Sequence, residues 1–270
     1  MAEFMYASNT FVPYNYPAEE ADIVFLGVPF SSTSISETSQ YGPVIVRECL
    51  RLIEGQEEKS GRDFTRKKIC DIGNIEIVPG SYELTAERVK ETIEQVREVS
   101  KNSLIITIGG DHLSTLPVVE SLRPGTIIQL DAHRDLKDEY LGNRFSHSTW
   151  ARRAAESTGC EIVQIGTRES SAEELEAEKK LGIKKGTQFL KEAKDPLYIS
   201  IDMDVFDPCY VETGFPVSGG MTPDEVLEII GMLKGRKIIG MDINEISSRT
   251  MPSKTGFLAA EIIRKVLSIL

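Results

Sequence analysis

The stretch Thr126-Ile127-Ile128-Gln129-Leu130-Asp131-Ala132-His133-Arg134-Asp135 changes character at its midpoint. Its first half is mostly apolar and rich in branched side chains, and its second half alternates acid and imidazole with other residues. The same break recurs along the chain. Apolar residues 104–108 run into Gly109-Gly110-Asp111-His112, residues 197–201 into Asp202-Met203-Asp204, and residues 237–241 into Asp242-Ile243-Asn244-Glu245. Ile23–Val28 and residues 162–165 are further runs of this kind. They lack clean polar alternation, as do strands buried on both faces of a parallel sheet.

Helical patterns fill the intervals. Residues 85–101 place apolar side chains at roughly helical spacing among many charges. Thr222-Pro223-Asp224-Glu225 combines an N-cap threonine, a first-turn proline and a glutamate placed for a capping box, and Ser171-x-x-Glu174 repeats the box. Residues 258–270 read as a terminal amphipathic helix. Strand and helix alternating throughout predict an α/β fold with a mostly parallel sheet and helices on both faces. With no repeat, low-complexity segment or linker, residues 1–270 are expected to form a single domain. Such sheets bind ligands at the carboxyl ends of their strands, where the acids and histidines fall.

A formal net charge of −11 argues against a nucleic-acid partner and suits a small cationic substrate. Cys49, Cys70, Cys160 and Cys209 form no C-x-x-C pair, so neither a disulfide framework nor a zinc ribbon is expected. There is no basic segment leading into an apolar run at the N-terminus and no stretch of membrane-spanning length. A cytoplasmic location and no membrane partner are therefore expected.

Polar clusters at the ends of several strands would bring many carboxylates to one crevice. Buried carboxylates need pairing or a metal ion. Side chains at i, i+2 and i+4 of an extended segment share a face. Asp131, His133 and Asp135 therefore face together, and so do Asp202 and Asp204. With His112 they form a set of oxygen and imidazole donors suited to two divalent ions, and the absence of thiolate favours manganese, with cobalt, iron or zinc as alternatives. The chain has only three histidines. His112 and His133 lie in these clusters, and His147 follows twelve residues after Asp135. Asp111 is expected in the turn, orienting a ligand.

These motifs resemble those of the ureohydrolases, the arginases and agmatinases, and archaeal-type agmatinases most. The matching pieces are Gly109-Gly110-Asp111-His112, Asp131-Ala132-His133-Arg134-Asp135, the segment 200–208 and the segment 240–245. Leu26-Gly27-Val28-Pro29-Phe30, with Gly42-Pro43, resembles the family's opening segment. The resemblance implies a three-layer αβα fold and two manganese ions held by His112, Asp131, His133, Asp135, Asp202 and Asp204. It also implies hydrolysis of a guanidino compound to urea and an amine by water activated between those ions. Asp135 would orient the nucleophile, His147 would shuttle protons and Glu245 would pair with the guanidinium. Homo-oligomers are common in the family and are expected here.

Within the family, residues 136–146 and the pair Arg152-Arg153 resemble agmatinases. They imply agmatine, cleaved to putrescine and urea in polyamine biosynthesis. Asp138 and Glu139 could offset the amine end of that substrate, whereas Lys137 or Arg144 could hold a carboxylate instead. The family's usual pattern is not followed everywhere. Glu37-Thr38-Ser39 stands where Arg-Pro-Gly is usual, Ser148 follows His147 in place of glycine, Phe215 replaces a threonine, and Glu212 adds a charge nearby. These changes bear on the substrate and leave the metal ligands intact. Arginase or other guanidino-acid activity is one alternative, and a metal-binding regulatory homologue of weak activity is another.

Overall fold

The computed structural model describes residues 7–8, 16–33, 36, 38–57 and 61–270. Glu37 and the first six residues, used in the sequence reading, lie outside them. The nine-stranded sheet has the order β1-β5-β2-β6-β11-β10-β7-β8-β9. Its strands are β1 (Ala7–Ser8), β2 (Ile23–Val28), β5 (Ile69–Ile75), β6 (Leu104–Gly109), β7 (Thr126–Leu130), β8 (Glu161–Ile165), β9 (Lys184–Lys185), β10 (Leu197–Asp202) and β11 (Ile238–Asn244). All pair in parallel except the edge strand β1, which is antiparallel to β5. A separate short ribbon joins β3 (Gln56–Glu57) and β4 (Arg62–Asp63).

Helices cover both faces, as the doubly buried strands require. One core packs α1 (Gly42–Leu52), α6 (Pro223–Gly231) and α7 (Lys254–Ile269) on one side of the sheet. A second core on the other side joins α2 (Tyr82–Val99), α3 (Thr115–Leu122), α4 (Trp150–Thr158) and α5 (Ala172–Leu181). This is the three-layer αβα arrangement. Among the described residues no helix is long and apolar enough to cross a membrane.

Both capping boxes form: Ser171 with Glu174 opens α5, and Thr222 with Glu225 opens α6. The last helix begins before residue 258, because the Ser253 side chain accepts from the Gly256 amide and caps it there.

Strand β5 had no counterpart among the apolar runs. Its Asp71, Gly73 and Asn74 are poor strand formers, but buried Arg47 of α1 pairs with Asp71 at 2.7 Å and bonds Asn74 at 2.5 Å. A tertiary ion pair therefore fills polar positions that local propensity disfavours.

Sheet register sets the site. Ile201 lies beside Leu130 and Ile243, and Ile243 lies beside Ile108. One step further along, Gly109, Asn244, Asp202 and Asp131 form a row across the carboxyl edge of the four central strands.

Candidate metal centre

His112 follows β6 in a tight turn. The Gly110 amide donates to the Val28 carbonyl at 2.9 Å and its own carbonyl accepts from Glu245 N at 2.9 Å. A Cβ on Gly110 would come within 2.1 Å of the Phe30 carbonyl oxygen, so only glycine passes there. The Asp111 carboxylate closes the turn by accepting from Leu113 N at 3.2 Å, and it also accepts from the backbone and hydroxyl of Thr33 at 3.0 and 2.8 Å.

The side chains converge in two groups. His112 Nδ1 lies 3.2 Å from Asp131 Oδ2, 3.2 Å from Asp202 Oδ2 and 3.4 Å from Asp135 Oδ2. His133 Nδ1 lies 2.8 Å from Asp204 Oδ2 and 3.7 Å from Asp131 Oδ1. One donor atom each from His112, Asp131 and Asp202 fits within a 4.8 Å span, as does one each from Asp131, His133 and Asp204. Asp131 belongs to both groups and Asp135 stands beside the first. Two adjacent cation positions sharing one carboxylate fit this arrangement, and its all-nitrogen-and-oxygen donors suit hard or borderline divalent ions.

Charge leads to the same conclusion. Burial, then the neighbouring Asp131 and Asp202 charges, pushes Asp135 well above the ordinary carboxylate range. Burial, then Asp202 and Asp131, does the same to Asp204. Burial alone would lower the imidazoles, but bonds to Asp131 and Asp202 carry His112 well up, and bonds to Asp131 and Asp204 carry His133 up to about 12. On protein charges alone this cluster must collect protons to stay buried. Divalent cations supply the same positive charge and remove that need.

The backbone is strained at two of these residues. Asp135 and Glu245 have φ of 54° and 63°. Left-handed backbone at a non-glycine residue costs about 1–3 kcal/mol and clusters at functional sites. Glu245 Oε1 accepts from His112 N at 3.1 Å, and burial, then Asp202 and Asp111, raises the acid well above its usual range. Its side chain lines a cavity of about 280 Å³ together with His112, His133, Asp135, His147, Asp202 and Asp204. Burial chiefly, with the cationic neighbours His133 and Lys137 adding to it, pulls His147 down to about 4. Its backbone N donates to the Thr33 hydroxyl at 3.0 Å, and its ring stands edge-on to Tyr140 at 5.2 Å.

Asp138 and Glu139 do not line this cavity. The Asp138 carboxylate is bonded by Arg153 at 2.7 Å and lies 3.3 Å from Arg152, so it is spent on α4. The outer wall is built instead from Lys137, Tyr140, Glu169 and Phe215.

Sequence reasoning missed the support beneath this donor cluster. His112 Nε2 meets Ser200 Oγ at 2.8 Å, and that hydroxyl donates to Asp242 Oδ1 at 2.8 Å. Asp242 also accepts from Tyr198 OH at 2.7 Å and Asn244 Nδ2 at 2.8 Å. The ring is thereby turned with Nδ1 toward the carboxylates. The signal was the two-residue period of Tyr198, Ser200 and Asp202, which share a face of β10. Trp150 was also missed: its Nε1 donates to Asp135 Oδ2 at 2.7 Å and its ring packs on His112 at 4.6 Å. Arg168 donates to the carbonyls of Asp204 at 2.7 Å and Val217 at 2.6 Å, tying two loops of the site together.

The model of the arginase family matches residues 21–268. An agmatinase of Pyrococcus horikoshii is 34% identical over 264 residues, covering 93% of each chain. An N(1)-aminopropylagmatine ureohydrolase of Thermococcus kodakarensis is 32% identical, covering 97% of this chain and 96% of that protein. The crystal structure of the agmatine ureohydrolase of Thermoplasma volcanium superposes with a TM-score of 0.86 at 28% identity, over 95% of this chain and 92% of the other.

Proposed function

The chain belongs to the arginase family, and on that footing we propose that it hydrolyses a linear guanidino compound, agmatine before others, to urea and an amine. The observation that carries this reading is the pair of His/Asp donor groups on the floor of a cavity walled by His147 and Glu245. His112, Asp131 and Asp202, with Asp135 beside them, would hold one divalent ion, and Asp131, His133 and Asp204 a second. We infer manganese for both. Bound there, the ions supply the Lewis acidity that makes water nucleophilic near neutral pH.

The protein's own groups do the rest. Glu245 receives the planar N–H fork of the guanidinium, whose positive charge offsets the cost of that buried carboxylate. Asp135, fixed by Trp150, accepts a hydrogen bond from the attacking water and aims it at the guanidino carbon. His147 is neutral at working pH, so it can accept the proton released by that water. It then returns the proton to the departing nitrogen, because an amine leaves poorly unless protonated.

Agmatine is favoured by the acidic chain and by the relatives' names. The Thermococcus relative favours, as a second substrate, the same molecule extended by an aminopropyl arm. We read the whole chain as one catalytic domain acting as a cytoplasmic homo-oligomer that feeds putrescine to polyamine synthesis. Urea release by manganese-loaded protein tests the proposal, with agmatine and arginine at matched concentrations and a metal-stripped control. Metal-dependent urea from agmatine is expected. Preference for arginine would overturn the substrate, and no urea from any guanidine would overturn the reaction.

A further inference from the structure

The cavity has a floor of acids and imidazoles and a mouth of different chemistry. Phe215 stands at the mouth, its ring edge-on to His133 with centroids 5.9 Å apart and planes at 86°. The residue is 45% exposed, a large apolar ring left partly in water beside the floor. Its loop is not free to drift, since Arg168 binds both the Val217 carbonyl and the Asp204 turn. The ring is therefore preset relative to the reacting end of the cavity.

The charges that line the same cavity are unequally available. Lys137 holds its ammonium 4.8 Å from the centre of the Tyr140 ring. Glu169 also lines the cavity, and among the described residues its carboxylate makes no hydrogen bond or ion pair. The mouth thus offers an aromatic surface and an anion, while its cation lies over the Tyr140 ring. A substrate tail that suits it has methylenes to lie on the ring and an ammonium for the ring face and Glu169. A carboxylate tail would meet Glu169 with the wrong sign.

We propose that Phe215 is the specificity-determining residue of this cavity, selecting guanidines whose tail is an alkylammonium over those ending in a carboxylate or in nothing charged. This rests on the guanidine-hydrolase reading above. The test compares the manganese-loaded protein with Phe215→Ala and Phe215→Leu on agmatine, 4-guanidinobutyrate and butylguanidine. Specificity is read as the ratio of kcat/KM values where urea forms, and as the ratio of calorimetric Kd values where it does not. Activity thus reports on the reaction while the ratios report on Phe215.

Phe215→Ala is expected to lower the preference for agmatine over each competitor about tenfold, mainly through KM, as loss of one ring contact to a cationic chain implies. Phe215→Leu should recover the apolar part of that loss and leave the preference for the ammonium weakened. Ratios within about twofold of wild type in Phe215→Ala would overturn the assignment, as would wild-type preference for 4-guanidinobutyrate over agmatine.

Discussion

Replacing Ser200 by alanine should weaken one cation position and spare the other. The hydroxyl links His112 Nε2 to the Asp242 carboxylate, with 2.8 Å on each side. Its loss leaves a buried imidazole N–H without its acceptor and removes one of the donors on Asp242. An unmet buried polar group costs about 1–3 kcal/mol. Unfolding entropy near 2.1 cal/mol/K per residue gives about 0.6 kcal/mol/K for a chain of 270 residues, so Tm should fall by about 2–5 °C. Groups that orient a metal-binding histidine are typically worth about 10–100-fold in affinity. Calorimetric titration of the metal-free variant with manganese should show that loss for the ion at His112, Asp131 and Asp202. The ion at Asp131, His133 and Asp204 should stay within about threefold, because the Ser200 hydroxyl bonds His112 and Asp242 and, among the described residues, none of that group. Two unchanged affinities, or two that fall together, would refute the idea that this hydroxyl acts by turning one ring.

Asp204→Ala should remove the second ion and abolish urea release while the metal-free protein keeps its Tm within a few degrees. Metal content by elemental analysis checks this, and full activity without added metal would end the two-ion scheme. Arg168→Lys exchanges a fork that reaches several carbonyls for a single ammonium, so manganese content should fall at the Asp204 position with a loss of about 2–4 kcal/mol from the unmet carbonyls. Denaturant melts and metal analysis of one preparation measure both effects. For His147, the folded pKa of about 4 lies below the unfolded value of 6.5. Between those values the unfolded chain binds the extra proton, so this residue's share of stability is complete above pH 6.5 and is lost as pH falls toward 4. The neutral form needed for proton acceptance should likewise persist in kcat/KM down to about pH 5. An acid limb centred near pH 6.5 that disappears in His147→Asn would show that burial does not depress it.

The convergence of these acids and histidines was legible in the sequence because it depends on local periodicity. Asp131, His133 and Asp135, or Asp202 and Asp204, declare a shared face by spacing alone, and the apolar runs before them declare strands. The register that levels Asp202 with Asp131 is a pairing between strands, and no window of sequence contains it. Strand β5 was hidden because Asp71 and Asn74 fit a strand only when Arg47 arrives from a helix earlier in the chain. The mouth of the cavity was legible only in part. Phe215 stood out as a departure, but Asp138 and Glu139 looked available as acids until α4 brought Arg152 and Arg153 against the first of them. Glu169, on a different loop, carried no local pattern at all.

Trp150 is the only tryptophan in the chain, and its indole lies between the His112 ring and the Asp135 carboxylate. Its fluorescence therefore originates wholly inside the candidate site. Ions entering or leaving can be followed as an optical signal in the unlabelled native protein, with no substrate and no assumption about what it hydrolyses. A stopped-flow trace of that emission would give the order and speed with which the centre assembles.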